Sequence, residues 1–288
     1  MKRFLLAIDA GGTFLKSALF CNGELCRDTF FRVEADSDRG NAAQIRAAYD
    51  SIIAHAAACA RSRGGRIFRV SVDTPGPFDF STGTPLMKHK YRAIYGISLV
   101  PWIKQAAGDV EVRFVHDSTA FILGVARQGT CRPVAGAMIG TGLGFAMLGH
   151  DGRPQTRPDG GPLVSIYQRP LRQTTAEELI SGRGIVARYN ANAAVPADNA
   201  KQIGDRAAAG DGNARRIYLE TGELLGEVVR PILLQYGVQA FILGGQISKS
   251  FSLMEPGLRQ ALAGLGQLKY IAAAEDIDNV HLYGAALA

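Results

Sequence analysis

Apolar and polar positions change period several times along the chain, and the changes mark its elements. Residues 4–9 form an apolar run that ends on Asp9. Residues 10–13 are a glycine turn, residues 14–20 a second apolar run, residues 21–24 a second turn, and residues 25–33 a third run. Short apolar runs bounded by Gly and Asn turns predict strands, so the chain opens as a β-meander rather than a βαβ unit. The period then lengthens. Ile45, Ala48, Ile52, Ala56 and Cys59 recur at helical spacing between Asn41 and Arg63, and Gly64-Gly65 ends the segment, which predicts a helix. A strand over 68–72 runs into Thr74-Pro75-Gly76-Pro77, a strand over 110–115 follows, and residues 118–127 read as a helix.

The second half begins with the same device. Residues 134–139 predict a strand, 140–144 a glycine turn and 145–148 a strand, followed by a Pro- and Gly-rich loop over 149–174. Helices are expected over 176–189, 199–208 and 213–236, then a strand over 240–243 with Gly244-Gly245 behind it, and a closing helix over 277–288. At roughly 100–200 residues per domain, 288 residues suggest two domains. Strands interleaved with helices in both halves point to the α/β class.

Composition narrows the function classes. Hydrophobic residues make up 47% and charged residues 20%, enough for a sizeable core and unlike a disordered chain. The 34 glycines exceed the ordinary ~7% and gather at strand ends, where backbone turns sharply or approaches a ligand. A net charge of +6 favours an anionic ligand such as a nucleotide phosphate. The basic residues are too dispersed for a nucleic-acid stripe, so no nucleic-acid partner is expected. Cys21, Cys26, Cys59 and Cys131 form no CxxC pair and no zinc pattern, which favours reduced thiols. The first apolar run is too short for a signal segment or a membrane span, so a soluble, cytoplasmic protein is expected.

Four segments carry chemistry. In Asp9-Ala10-Gly11-Gly12-Thr13 the glycines leave amides open to a phosphate, Thr13 adds a hydroxyl, and Asp9 is placed to hold magnesium through water. An ordinary hairpin turn accounts for it equally well. Gly140-Thr141-Gly142-Leu143-Gly144 is followed by a strand pattern rather than a helix, which disfavours a dinucleotide fingerprint, and no Walker P-loop is present. Two such hairpins facing each other would clamp a nucleotide triphosphate. Asp117, in His116-Asp117-Ser118, follows a strand, where ligand-binding carboxylates sit in α/β folds. It suits a base that receives a hydroxyl proton during phosphoryl transfer, or simply an N-cap. Gly244-Gly245-Gln246 either underlies an adenosine or opens a helix.

Taken in order, these segments resemble the ROK family of sugar kinases and transcriptional repressors. The resemblance rests on Asp9-Ala-Gly-Gly-Thr13, Thr74-Pro-Gly-Pro77, His116-Asp-Ser-Thr-Ala-Phe121, Gly140-Thr-Gly-Leu-Gly144, Glu178-Leu-Ile-Ser-Gly182, Leu243-Gly-Gly-Gln-Ile-Ser248 and Gly284-Ala-Ala286. It implies a two-lobed actin-like ATPase (ribonuclease H-like) fold, with mixed sheets flanked by helices and the active site in the cleft. The lobes would be residues 1–116 with 275–288, and residues 117–274. It implies Asp117 as the base, and ATP phosphates at Asp9, Gly11, Gly12, Thr13 and Lys16 and at Gly140, Thr141, Gly142 and Gly144. Gly244, Gly245 and Gln246 would lie on the adenosine side, with Pro75 and Gly76 in the sugar pocket. ATP and Mg2+ are the implied cofactors, and a homodimer is the implied assembly.

Two departures stand out. ROK kinases carry a Gly-Glu-x-Gly-His segment that contacts sugar and zinc, followed by a cysteine-rich zinc loop. Here the region reads Arg157-Pro-Asp-Gly-Gly-Pro-Leu-Val-Ser-Ile166, so no zinc is expected. The Asn usual before the catalytic aspartate is His116. Lys88-His89-Lys90-Tyr91-Arg92 is either a solvated loop, as charge runs usually are, or the replacement for the lost sugar contacts, with Lys90 and His116 binding the sugar and residues 90–96 forming a helix. The chain begins on the first strand, so no helix-turn-helix is expected. The expected activity is ATP-dependent phosphorylation of a sugar hydroxyl. The rivals are a non-catalytic sugar- or nucleotide-binding regulator on the same fold and another actin-like phosphotransferase, acting on an acyl-type substrate.

Overall fold

The opening meander forms as its alternation predicts. Strands β1 (Lys2–Ala10), β2 (Phe14–Cys21) and β3 (Glu24–Glu34) pair antiparallel in sequence. Helix α1 (Ala42–Ser62) follows, its start held by reciprocal bonds in which the Asn41 side chain accepts from Gln44 N and the Gln44 side chain accepts from Asn41 N. That capping box satisfies two amides that a helix start leaves open. Strand β4 (Gly65–Thr74) returns parallel to β1, helix α2 (Val100–Ala107) crosses over, and β5 (Glu111–His116) adds parallel to β4. The sheet order is β3-β2-β1-β4-β5. The computed structural model describes residues 1–288 apart from Asp36, Asp38, His89 and Gln128. His89, part of the candidate sugar segment, thus lies outside the described residues.

The chain divides into two compact units. Unit 1 comprises Met1–Gly124, Thr156–Gly161 and Asp278–Ala288, and unit 2 comprises Val125–Gln155 and Pro162–Ile277. In unit 1 alternate residues of β1 face opposite layers. Phe4, Leu6 and Ile8 pack with Ile45, Ile52 and Ala56 of α1, while Leu5 and Ala7 pack with Leu282 and Ala285 of helix α9 (Val280–Leu287). Helix α3 (Asp117–Ala126) meets α9 backbone to backbone. A Cβ on Gly284 would overlap the Ala120 carbonyl, and one on Gly124 would overlap that of Val280.

Unit 2 repeats the strand–turn–strand opening with β6 (Val134–Ile139) and β7 (Leu143–Leu148). Helices α4 (Ala176–Ile180), α5 (Gly182–Asn190), α6 (Ala200–Ala208) and α7 (Gly212–Gln235) follow, then β8 (Ala240–Gly244), α8 (Phe251–Ala261) and β9 (Tyr270–Ala273). Its sheet order is β9-β8-β6-β7, with β8 parallel to both neighbours.

Three local expectations are revised. The helix expected over 176–189 is two helices, because Ser181 takes an extended conformation between them. Residues 90–96 hold one 3-10 turn, Arg92–Ile94, entered through a left-handed Tyr91, rather than a helix. The closing helix starts at Val280 rather than at residue 277. Helices α2 and α8 and strand β9 have no counterpart in the sequence reading. Pro256 and Gly257 disguise α8, and Tyr-Ile-Ala-Ala is too short to show a period.

Candidate functional site

Unit 1 collects its charged side chains at the carboxyl ends of β1, β4 and β5. Asp9 and Asp73 are register partners, and Thr74 pairs with His116 one step further along. Three neighbouring strands thereby deliver Asp9, Asp73 and Asp117 to one edge, the usual ligand edge of an α/β sheet. Lys16, the cross-strand partner of Asp9, reaches its Oδ2 at 3.5 Å.

Asp117 opens α3 and sits against its neighbours. Its Oδ1 accepts from the Ser118 amide at 2.5 Å and lies 2.9 Å from His116 Nδ1. Burial works against the charge of Asp117. The charge and hydrogen bond of His116, the charge of His281 and the Ser118 amide outweigh it, holding the carboxyl well below the usual carboxylate range. The group is therefore ionised at neutral pH. The side chain is 30% exposed, so a hydroxyl can reach it. An N-cap accepts from the amide two or three residues on. Asp117 accepts instead from the next residue, and it lies in the first turn of α3, where a carboxylate also favours the helix.

His116 is wedged on its far side. A Cβ on Gly76 would lie 3.2 Å from His116 Nε2, and the Phe80 ring stands 5.8 Å from the imidazole, centroid to centroid. Gly76 and His116, both expected at the sugar, are thus in contact. For Pro75 no link to them is described. Residues 156–161 belong to unit 1, and Gly160, in left-handed backbone, lies against Phe80.

The first glycine turn has its carbonyls taken from behind. Tyr91 Oη donates to Gly11 O at 2.8 Å, Ser37 donates to Gly12 O through both Oγ (2.5 Å) and N (2.9 Å), and Ala35 N donates to Thr13 O at 2.9 Å. In a planar trans peptide the carbonyl and the following N–H point opposite ways. Pinning these carbonyls therefore turns the amides after them to the other side, as an anion cradle needs. Lys90 joins this turn. A Cβ on Gly12 would lie 3.3 Å from Lys90 Cε and 3.5 Å from its Nζ. The carbonyl oxygens are thus used structurally, by Tyr91, Ser37 and Ala35. Asp9, a hard oxygen donor 17% exposed beside the cradle, fits magnesium held through water.

Unit 2 builds its corresponding edge from backbone. Gly140 N donates to Gly142 O at 3.0 Å, and Gly140 O accepts from Gly182 N at 2.8 Å. Glu177 Oε2 accepts from Leu143 N at 3.0 Å and would lie 2.9 Å from a Cβ on Gly142. Gly144 is a strand residue, paired with Met138, rather than part of the turn, and Thr141 is exposed. Gly245 has φ of +79°, and a Cβ there would overlap the Ile139 carbonyl, so Gly244 and Gly245 lie against the base of the Gly140 turn. Gln246 begins the 3-10 turn that follows.

Several residues at these edges were not singled out from the sequence: Asp73 and His281 in unit 1, and Glu177 in unit 2. Asp73 is 1% exposed, with both carboxylate oxygens buried and no hydrogen-bond donor among the described residues. Burial, then the charge of Asp9, raises its carboxyl against the pull of His281. For His281 burial opposes the charge, and Asp73, Asp9 and Asp117 together raise it. A carboxylate that ends a buried apolar strand was the available signal.

Residues 172–287 match the ROK family. Comparison with the curated proteins gives no match. Among solved structures the chain is similar to a ROK family glucokinase from Streptomyces griseus in complex with glucose and AMPPNP, with a TM-score of 0.77 and 21% identity over 98% of both chains. It is similar to a ROK hexokinase from Thermus thermophilus, with a TM-score of 0.77 and 20% identity over 99% of this chain and 97% of that one. It is also similar to a ROK family transcriptional regulator, a homolog of the E. coli MLC protein, with a TM-score of 0.83 and 19% identity over 100% of this chain and 78% of that one. The fold is therefore the actin-like ATPase fold, built here from two mixed sheets flanked by helices.

Proposed function

We propose that this ROK-family chain transfers the γ-phosphoryl group of ATP to a hydroxyl of a small carbohydrate, with Asp117 accepting the hydroxyl proton. The observation that carries the proposal is the unit 1 strand edge. An ionised, partly exposed carboxylate is oriented there by His116 and the Ser118 amide, in the same unit as a glycine turn whose carbonyls are pinned from behind. Phosphoryl transfer passes through a loose transition state, so a protein contributes mainly position and charge. The depressed pKa keeps the carboxylate ionised and able to accept, and a loose transition state, in which the proton leaves the hydroxyl late, asks little of its basicity.

The remaining assignments follow from position. The amides after Gly11, Gly12 and Thr13 hold phosphate oxygens, as does the Gly140–Gly142 turn, while Gly244, Gly245 and Gln246 take the adenosine side. Lys90, expected from the sequence at the sugar, is stacked on Gly12 and so brings its ammonium to the anion over that turn. His116 orients Asp117, and with Gly76 and Phe80 it forms the wall on which the acceptor lies. Asp9 would hold magnesium through water, and the ion would supply positive charge to the phosphates.

The test is a panel of hexoses, amino sugars and polyols assayed by coupled ADP release, with acetate as the acyl acceptor. Sugar-dependent ADP release in the wild type and its loss in Asp117→Asn is the expected result. Sugar binding by calorimetry with no turnover on any acceptor would instead make the chain a regulator on the kinase fold. Turnover on acetate alone would make it a different phosphotransferase.

A further inference from the structure

Three side chains distant in sequence converge on a buried point beside the phosphate turn. Asp9 ends β1, Asp73 ends β4, and His281 lies in the first turn of α9, on the sheet face where Leu5 and Ala7 meet that helix. Each contributes one ligand atom, and these atoms all lie within 4.8 Å of one another. Asp73 is the key member. Both its oxygens are buried without a hydrogen-bond donor among the described residues, and so is His281 Nδ1. The two groups stand 3.7 Å apart, Nδ1 to Oδ1, which is too long for a hydrogen bond.

A buried carboxylate with no donor is costly unless a proton or a cation neutralises it. The spacing suits a cation. Ion–ligand distances of roughly 2.0–2.6 Å place pairs of ligands about 3–5 Å apart around one ion. The surrounding charge points the same way. Asp9, Asp73 and Asp117 all act on His281, and Lys16 offsets Asp9 from 3.5 Å. The donor set identifies the class of ion. Magnesium takes oxygen ligands and structural zinc favours cysteine, whereas two carboxylates with one imidazole and added water suit a first-row divalent ion. We infer that Asp9, Asp73 and His281 form a binding site for a divalent transition cation of the manganese class, completed by water on the exposed side of Asp9.

This site differs from magnesium arriving with a nucleotide, because two of its three ligands face the buried side of the strand ends. It rests on the proposed kinase only for its position beside a phosphate turn. Its test uses neither nucleotide nor sugar, so the two proposals fail separately.

The experiment is titration of the full chain, stripped with a chelator, with Mn2+, followed by calorimetry and by the electron paramagnetic resonance of free Mn2+. One ion per chain is expected, and Asp73→Asn or His281→Gln should weaken binding by about tenfold or more. Asp151→Asn, an exposed acid in unit 2, should leave it unchanged. Pulsed resonance on protein labelled with nitrogen-15 histidine should show an imidazole nitrogen coupled to the ion. That measurement needs only the wild type, so it decides the matter even where a variant fails to fold. No Mn2+ binding, binding without nitrogen coupling, or unchanged affinity in folded Asp73→Asn and His281→Gln proteins would overturn the inference.

Discussion

The two units share a strand–glycine turn–strand opening but furnish its strand edge differently. Unit 1 gathers Asp9, Asp73, Asp117, Lys16, His116 and His281 at one edge of its sheet. Unit 2 presents Gly140, Gly142, Gly182 and Gly245, and the side chain described on its turn is the carboxylate of Glu177. Backbone amides bind a phosphate without changing its protonation, whereas ionisable side chains also move protons and hold cations. Under the proposed function, proton chemistry falls to unit 1 and unit 2 is left to binding.

That division has measurable consequences. The largest is at Asp117. Asp117→Asn should lower kcat by roughly 10²–10⁴-fold with little change in sugar affinity, the usual range for losing a general base. Substituting Glu177→Gln in unit 2 should cost far less. Near-normal turnover in a folded Asp117→Asn protein would erase the contrast between the units.

Nucleotide binding should need both turns. ATP with magnesium raises the melting temperature by mass action when it binds only the folded state. Gly12→Val and Gly142→Val should each abolish that rise, since the added side chain fills the space the phosphates need. A full rise in either variant would reduce that turn to a simple hairpin.

The helix crossing behind the unit 1 edge comes next. Gly284→Ala places a carbon on the Ala120 carbonyl, so α9 must shift. Overpacking of this kind costs about 1–3 kcal/mol, read as a lower denaturant midpoint. An unchanged midpoint would mean that α9 is loosely seated and His281 poorly placed.

A subtler effect concerns pH. A carboxylate held below its ordinary value stabilises the fold above its unfolded pKa of about 3.9 and loses that contribution as pH falls toward the folded value. Asp117 is thus ionised throughout the working range and should contribute no acid limb to kcat/KM between about pH 5 and about pH 7. In His116→Ala burial is no longer outweighed to the same degree, so an acid limb should move upward into that range. Identical profiles would remove His116 from the control of Asp117. The smallest effect is at Lys90. Lys90→Ala should raise KM for ATP a few-fold, because the ammonium rests on Gly12. A rise confined to the sugar would return Lys90 to the acceptor.

Much of the molecule was legible in the chain because its signals are local. The meander, α1 and the two glycine turns are written in hydrophobic period and turn residues, and Asp9 and Asp117 stand at strand ends that those periods locate. Asp73 and His281 carry no local mark. One ends a strand beside a Pro-Gly segment, and the other sits in an apolar C-terminal helix. Only the β1–β4 register, which pairs Asp9 with Asp73, and the crossing of α9 on α3 at Gly284, which brings His281 in, join residues 9, 73 and 281. The stacking of Lys90 on Gly12 and the break of the helix at Ser181 are of the same kind. Sequence alone determined most of the elements and the class of fold, and it marked the glycine turns and strand-end carboxylates as candidates, since each follows from a residue and its near neighbours. Tertiary structure decided which charges share one buried space, because strand register and helix crossing are set by packing between segments that no local period connects.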